Sequence, residues 1–317
     1  MIRYRAFLNT DAPALVALWN GQAGVQALRQ PLTLALLEEC VFGKPYFDRH
    51  GLLVAEADGR LAGFAHAGFG VPNHGTELST EAGAVQLVVV GQHPQREGIA
   101  CELLERAEAY LAGRGAREIW AGCVQPLHGF YLGLYGGSES PGVLESDAAS
   151  LALFRSAGYA ELGRHSILQR SLAGFRPLID RQQLQLRRQF DLESEPAPAC
   201  ESWWEAWTIG AFDRTRHQLF QRGQAEPCGS VLTWDRKHLL GDVEGNTAGL
   251  IGLWIRDDLR GRGLGKFLVG EVLRAVQADG VPQIDVQVAE TNAAALAVFR
   301  RLGFQQADRG YLLRKSL

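Results

Sequence analysis

Two spacings of apolar residues alternate along this chain. Around "VQLVVV" (residues 85–90) and "GLIGLWI" (249–255) apolar and small residues run almost without a break, as in a buried strand. Immediately afterwards, in "CELLERAEAYLAG" (101–113) and "KFLVGEVLRAV" (266–276), apolar residues return every three or four positions, which predicts amphipathic helices. Each helix is followed by a second apolar strand, "REIWAG" and "QIDVQV". From Gln95 to Ile119 is 24 positions, and from Arg260 to Ile284 is also 24, so strand, loop, helix and strand recur in register.

The repeat extends further in both directions. "DAASLALFRSAGY" (147–159) matches "NAAALAVFRRLGF" (292–304) at seven of thirteen positions, each a short helix with a polar residue to cap its start and a glycine to end it. Upstream, "IRYRAFL" predicts a strand, "DAPALVALWNG" a helix and "LLVAEADGRLAGFAHAGF" a hairpin turned at Asp58 and Gly59. Their second-half counterparts are "RRQFDLES", "SWWEAWTIGAF" and "HQLFQRGQAEPCGSVLTW". The chain reads as a tandem duplication in the α/β class, of α+β type. Each half is a mixed, mostly antiparallel sheet flanked by helices, with units at 1–175 and 176–317.

Between strand and helix lie "QREGIA" (95–100) and "RGRGLG" (260–265). Backbone N–H groups at a helix start have no intrahelical acceptor, so either place suits an anion. A Walker loop is excluded because Arg260 stands where its first glycine belongs and Phe267 where its hydroxyl belongs. A dinucleotide fingerprint fails as well, its last glycine falling on Lys266 or Leu268.

Composition narrows the partners. With 317 residues, 46% hydrophobic, 21% charged and a net charge of −3, the chain lacks the basic excess of a nucleic-acid binder. No apolar stretch approaches the roughly 18 residues of a membrane span, and the first residues lack the apolar core of a secretion signal. A cytoplasmic location and no membrane partner are expected. Five cysteines show neither C-x-x-C nor metal-ligand spacing, so no metal is expected. They read as small buried hydrophobes, and Cys101, near a helix start, is also open to a lowered pKa.

Both loops fit the Q/R-x-x-G-x-G/A signature, and with the closing "LFRSAGY" and "VFRRLGF" the chain resembles the GCN5-related N-acetyltransferases over nearly its whole length, least across about 172–230. The resemblance implies an acyl-CoA-dependent N-acyltransferase, transferring acetyl from acetyl-CoA to a primary amine by direct attack in a ternary complex. Acetyl-CoA would be bound in each half, its pyrophosphate on Gln95, Arg96, Glu97, Gly98, Ile99 and Ala100, and on Arg260, Gly261, Arg262, Gly263, Leu264, Gly265 and Lys266. Small residues there let the backbone approach the phosphates. The pantetheine arm would run along Val88, Val89 and Val90 and along Leu253, Trp254 and Ile255. Asn292 resembles the family's pantetheine-side asparagine. Asp147 replaces it in the first half, and a helix N-cap is an equal reading for both.

The chain departs from the family at the general acid. Phe154 and Phe299 stand where it often has tyrosine, and phenylalanine donates no proton. The first half also carries 20 extra positions, an insertion at about 126–146. This insertion brings His128, Tyr131, Tyr135, Glu139 and Glu145 onto one loop, as an acceptor wall or as a covering flap. Glu139 is the expected base and Tyr135 the expected acceptor contact or proton donor, presented together by a turn at Gly136 and Gly137. Glu244 and Glu290 are second-half candidates, His66 and His93 weaker ones. Trp203, Trp204 and Trp207 are expected to pack in the core or between the halves. The missing tyrosines favour an alternative, a CoA-binding sensor or scaffold with one or both halves inactive. Monomer and dimer are both compatible with the sequence.

Overall fold

The computed structural model describes residues 1–22, 25, 27–29, 31–72, 76–176, 180–235 and 247–317. The first half holds β1 (Ile2–Ala6), α1 (Ala12–Asn20), α2 (Leu34–Leu37), β2 (Leu52–Ala57), β3 (Arg60–Gly70), β4 (Ser79–Val90), α3 (Arg96–Gly113), β5 (Glu118–Ala121), β6 (Cys123–Val124), β7 (Pro141–Leu144), α4 (Ala148–Ser156) and β8 (Ala160–Ser171). In the second are α5 (Arg181–Gln189), β9 (Phe190–Pro196), α6 (Trp203–Thr208), β10 (Arg214–Gln221), β11 (Pro227–Asp235), β12 (Thr247–Ile255), α7 (Leu264–Ala278), β13 (Gln283–Ala289), α8 (Ala293–Arg301) and β14 (Gln305–Ser316). Asp58 and Gly59 both have positive φ, as a two-residue turn matching the strand twist requires.

The halves share one sheet, ordered β1-β2-β3-β4-β5-β14-β8-β13-β12-β11-β10-β9. Among the described residues, pairing is parallel only where β4 meets β5 and β12 meets β13, the two places where a helix crosses over. At the centre the final strands change sides. The second half's β14 pairs with the first half's β5, and the first half's β8 pairs with β13, while β14 and β8 pair with each other. The exchange leaves neither penultimate strand with an open edge.

Helix α3 buries Ile99, Leu103, Leu104, Ala107 and Leu111 against the first-half sheet, and α7 buries Leu264, Phe267, Leu268, Val272 and Val276 against the second. A third core lies across the opposite face, where α1, α2, the insertion and α6 meet. Its contents divide the tryptophans. Trp204 is 7% exposed and packs between the halves, whereas Trp203 and Trp207 are 37% and 45% exposed. The expected strand "RRQFDLES" begins only at Phe190. Arg187, Arg188 and Gln189 close α5, which is capped by Asp180 and tied to α7 by an Arg187–Glu271 ion pair of 2.6 Å.

Candidate functional site

Each parallel strand pair splays at the same place. β4 follows β5 only over residues 82–85 and then bulges at Gln86, where Leu87 pairs with His66 and Val85 with Ala67. β12 follows β13 only over residues 247–250, with an irregularity between Ser230 and Leu232 opposite Trp254 and Ile251. Gln86 lies nine positions before Gln95, and Ile251 nine before Arg260. Beyond these points Val88, Val89 and Val90 have no strand partner on that side and border a cleft, and Leu253, Trp254 and Ile255 likewise have none among the described residues.

In the first half that cleft is open. Its volume is ≈ 570 Å³, and its walls include Val88, Val89, Val90, Arg96, Glu97, Ala100 and Cys101, with Asp147 and the residues of α4 opposite. A side chain built on Gly98 would meet no atom within 4 Å, so the approach to the helix start is clear. Two loop residues face elsewhere. Ile99 is fully buried in the core and its N–H already donates to the Gln95 carbonyl at 2.9 Å, so it offers an anion nothing. His93 accepts the Gln95 N–H at 3.0 Å, a loop-closing role. Cys101 is exposed on the cleft wall.

The second loop differs in backbone, its helix starting only at Leu264 where α3 starts at Arg96, and it is partly covered. Gly261 and Gly263 have φ of 75° and 82°, which fits glycine there. Helix α5 lies against Gly263 while Gly261 stays open: Gln182 Nε2 donates to the Arg262 carbonyl at 3.1 Å, and Lys266 Nζ is 3.0 Å from Asp180. Arg260 is paired with Asp257 at 2.7 Å. Leu264 turns into the core, and a Cβ on Gly265 would sit 3.7 Å from Val298 Cγ2, where α7 and α8 touch. One residue absent from the sequence reading emerges here. Gly252 sits on the free edge of β12 with φ 67° and open space before it, eight positions ahead of Arg260.

Asp147 and Asn292 adopt nearly the same conformation, φ/ψ −91/64 and −89/72, and both are N-caps: Asp147 accepts from the Ser150 N–H and Asn292 from the Ala295 N–H. Phe154 and Phe299 are both buried, edge-on to Tyr159 at 5.0 Å and Phe304 at 5.1 Å.

The insertion separates the residues expected to act together. Tyr135 is 3% exposed, accepts the Leu144 N–H at 3.0 Å and faces Asp147 of the first cleft, and burial drives its pKa far above the usual phenol range. Burial prevents it from meeting an acceptor amine. Tyr131 is buried too and bonds to His66 Nδ1 at 3.0 Å, while burial pushes the His66 pKa down to about 3. Glu145 accepts from the Tyr311 hydroxyl at 2.8 Å and lies 3.2 Å from Arg309, which also binds Glu290 at 2.7 Å. Both carboxylates are therefore held by cations. Glu244 lies outside the described residues.

Glu139 goes the other way, into a cavity of ≈ 250 Å³ between the halves. The insertion contributes His128, Ser138 and Ser140, α6 contributes Trp204, Glu205 and Thr208, and β12 contributes Ile251, the residue at its splay. The segment is anchored on the second half. Trp234 Nε1 donates to the Ser138 carbonyl at 3.1 Å and Gln287 Nε2 to the Ser140 carbonyl at 3.3 Å. Gly249 makes the docking possible, since a Cβ there would meet Trp234 Nε1 at 2.4 Å and Ser138 Cβ at 2.7 Å. Burial raises the Glu139 pKa to about 7, helped by the nearby Asp285 carboxylate and partly opposed by Gln125 Nε2 at 3.2 Å. Its neighbour His128 is pushed down to about 4 by burial.

Residues 15–134 and 181–304 match the acetyltransferase (GNAT) family, more than half of the chain and once in each half. The mycothiol acetyltransferase of Geodermatophilus obscurus is 29% identical over 315 residues, covering 92% of this chain and 89% of that protein. Among solved structures, a tandem GNAT protein from the clavulanic acid biosynthesis pathway superposes with a TM-score of 0.66 at 14% identity, covering 100% of this chain and 98% of its own. A GCN5-related glucosamine N-acetyltransferase region of a fungal multi-domain GH3 β-N-acetylglucosaminidase reaches 0.70 at 17% identity, covering 99% of this chain but 38% of that one. These two likenesses carry the fold.

Proposed function

Because the chain belongs to the acetyltransferase (GNAT) family, we propose that it moves an acetyl group from acetyl-CoA to a primary amine, by direct attack in a ternary complex, with the chemistry in the second half. The observation behind this reading is the cavity at the β12 splay: Glu139 borders it beside Ile251, where a thioester lying along the free strand edge would end. The units at 1–175 and 176–317 are then two donor-binding halves, of which the second has an acceptor chamber.

The amine arrives as an ammonium ion, which has no lone pair. Glu139, with a pKa near 7, takes the proton. The freed nitrogen attacks the thioester carbonyl, whose developing negative charge meets a main-chain N–H of the β12 edge. Collapse of the tetrahedral species breaks the C–S bond, and the second proton that leaves the nitrogen passes through water to the CoA thiolate, since Phe299 supplies none. Release of free CoA from acetyl-CoA across a panel of primary amines, with and without Glu139→Gln, tests this. Equal turnover in both proteins would remove Glu139 from the mechanism.

The first half suits a binding role without turnover. Its cleft takes a donor, but the acceptor side of its splay is filled: Gln86 Nε2 donates to the Leu127 carbonyl at 3.1 Å, and Phe130, Tyr131 and Tyr135 pack beneath it. Among the described residues, acetyl-CoA bound there would meet these packed side chains where the second half has its cavity.

A further inference from the structure

Resting on that acyl-transfer reading, we propose that the cavity between the halves takes a small amino alcohol: a primary amine that bears hydroxyl groups and no carboxylate or phosphate. Three features of the wall carry this. At ≈ 250 Å³ the cavity falls below the roughly 300–1,000 Å³ typical of pockets for drug-sized ligands, so the acceptor is small.

Charge is the second feature. Among the described residues lining the cavity, the charged side chains are Glu139 and Glu205, and neither Lys nor Arg is present. Glu205 is already engaged, 3.1 Å from Arg214 and accepting the Glu201 N–H at 2.7 Å. That leaves Glu139 to receive one ammonium group, beside the indole of Trp204, whose face also attracts a cation. An anionic substituent on the acceptor would meet the Glu139 carboxylate, with no Lys or Arg among the described lining residues to offset it.

The third feature is unmet hydrogen bonding. Ser138 Oγ, Ser140 Oγ and His128 Nδ1 are buried and have no hydrogen-bond partner among the described residues. All three belong to residues that line this one cavity. Buried polar atoms are ordinarily satisfied, and two hydroxyls with an imidazole nitrogen can each give or take a bond. Hydroxyl groups on the ligand, acting as donor and acceptor alike, match this set. A purely aliphatic amine would leave all three groups unsatisfied.

A matched series of amines tests the proposal: 2-amino-1,3-propanediol, serine (one hydroxymethyl replaced by carboxylate) and isopropylamine (both hydroxyls removed). Binding to the full-length protein is followed by calorimetry in saturating CoA, and turnover by CoA release from acetyl-CoA. The diol is expected to bind at least about tenfold better than either analogue, because a site built to bond a hydroxyl rejects ligands that lack it. Substituting both serines, Ser138→Ala with Ser140→Ala, should shrink the diol's advantage over isopropylamine, with a thermal melt to verify folding. Glu139→Gln should instead shrink its advantage over serine. Equal affinity across the series, a preference for serine or isopropylamine, or no binding of any of the three overturns the proposal. A clear diol preference without CoA release upholds the ligand class and removes the acyl-transfer reading.

Discussion

The Tyr135 hydroxyl lies 3.4 Å from the Asp147 carboxylate, which ties this insertion residue to the first cleft, while Glu139, four positions on, borders the cavity of the second half. One short segment thus serves two sites. Removing the hydroxyl would leave the buried Leu144 N–H without its acceptor. Tyr135→Phe should therefore lose about 1–3 kcal/mol of stability in a denaturant titration and keep most of its turnover per folded molecule. A hundredfold loss of turnover would restore Tyr135 as a proton donor.

The raised pKa of Glu139 has consequences of opposite sign for rate and stability. Turnover should climb as pH passes through about 7, where the carboxyl becomes a base, and Glu139→Gln should lose that limb and at least about a hundredfold in rate. The folded pKa exceeds the unfolded value, so the favourable contribution of the protonated form is complete below about 4.5 and disappears as pH rises through about 7. Glu139→Gln should thus gain stability over wild type at pH 8.5, on the order of 1–3 kcal/mol, and little at pH 4. Melting curves at the two pH values check the sign. The groups facing Glu139 that could distort the profile are Asp285, Gln125, His128 and Glu205.

The loops should differ in donor affinity because only the second is covered. Gly98→Val projects into open space, so the protein should fold while acetyl-CoA no longer binds the first cleft by calorimetry. In that background Asp180→Asn keeps an acceptor for the Gln183 N–H but releases Lys266. Acetyl-CoA affinity at the second loop should rise severalfold, and the gain should fade with added salt. Unaltered affinity would mean that the Lys266–Asp180 pair does not compete with the phosphates.

Gly249→Ala should push the insertion off the second half, since the new methyl meets Trp234 and Ser138. Overpacking of this kind costs about 1–3 kcal/mol. Turnover should fall with stability while acetyl-CoA binding at the first cleft stays intact. A variant with wild-type stability would show that the contact relaxes without strain.

Much of this was legible in short-range pattern. The two loops, their spacing to the next strand and the caps at Asp147 and Asn292 were read directly, because each depends on a few neighbouring residues and their backbone angles. Gly252 could have been found in the same way, as a glycine inside an otherwise apolar run. The insertion was recognisable as extra length, but its side chains were not separable. Tyr135, Tyr131 and Glu145 find partners inside the fold, whereas Glu139 borders the cavity between the halves.

What the sequence by itself determined is the repeated unit: a strand, an anion-suited loop, an amphipathic helix and a closing helix and strand, twice over, with acyl-CoA chemistry implied by resemblance. Tertiary structure decided how the copies combine and diverge. The exchange of β8 and β14, the cover that α5 places on the second loop, and the docking of Ser138 onto Gly249 join residues far apart in the chain. Such contacts follow from which surfaces meet after local elements have formed. Hydrophobic periodicity states that a face is buried, and it carries no record of the partner that buries it.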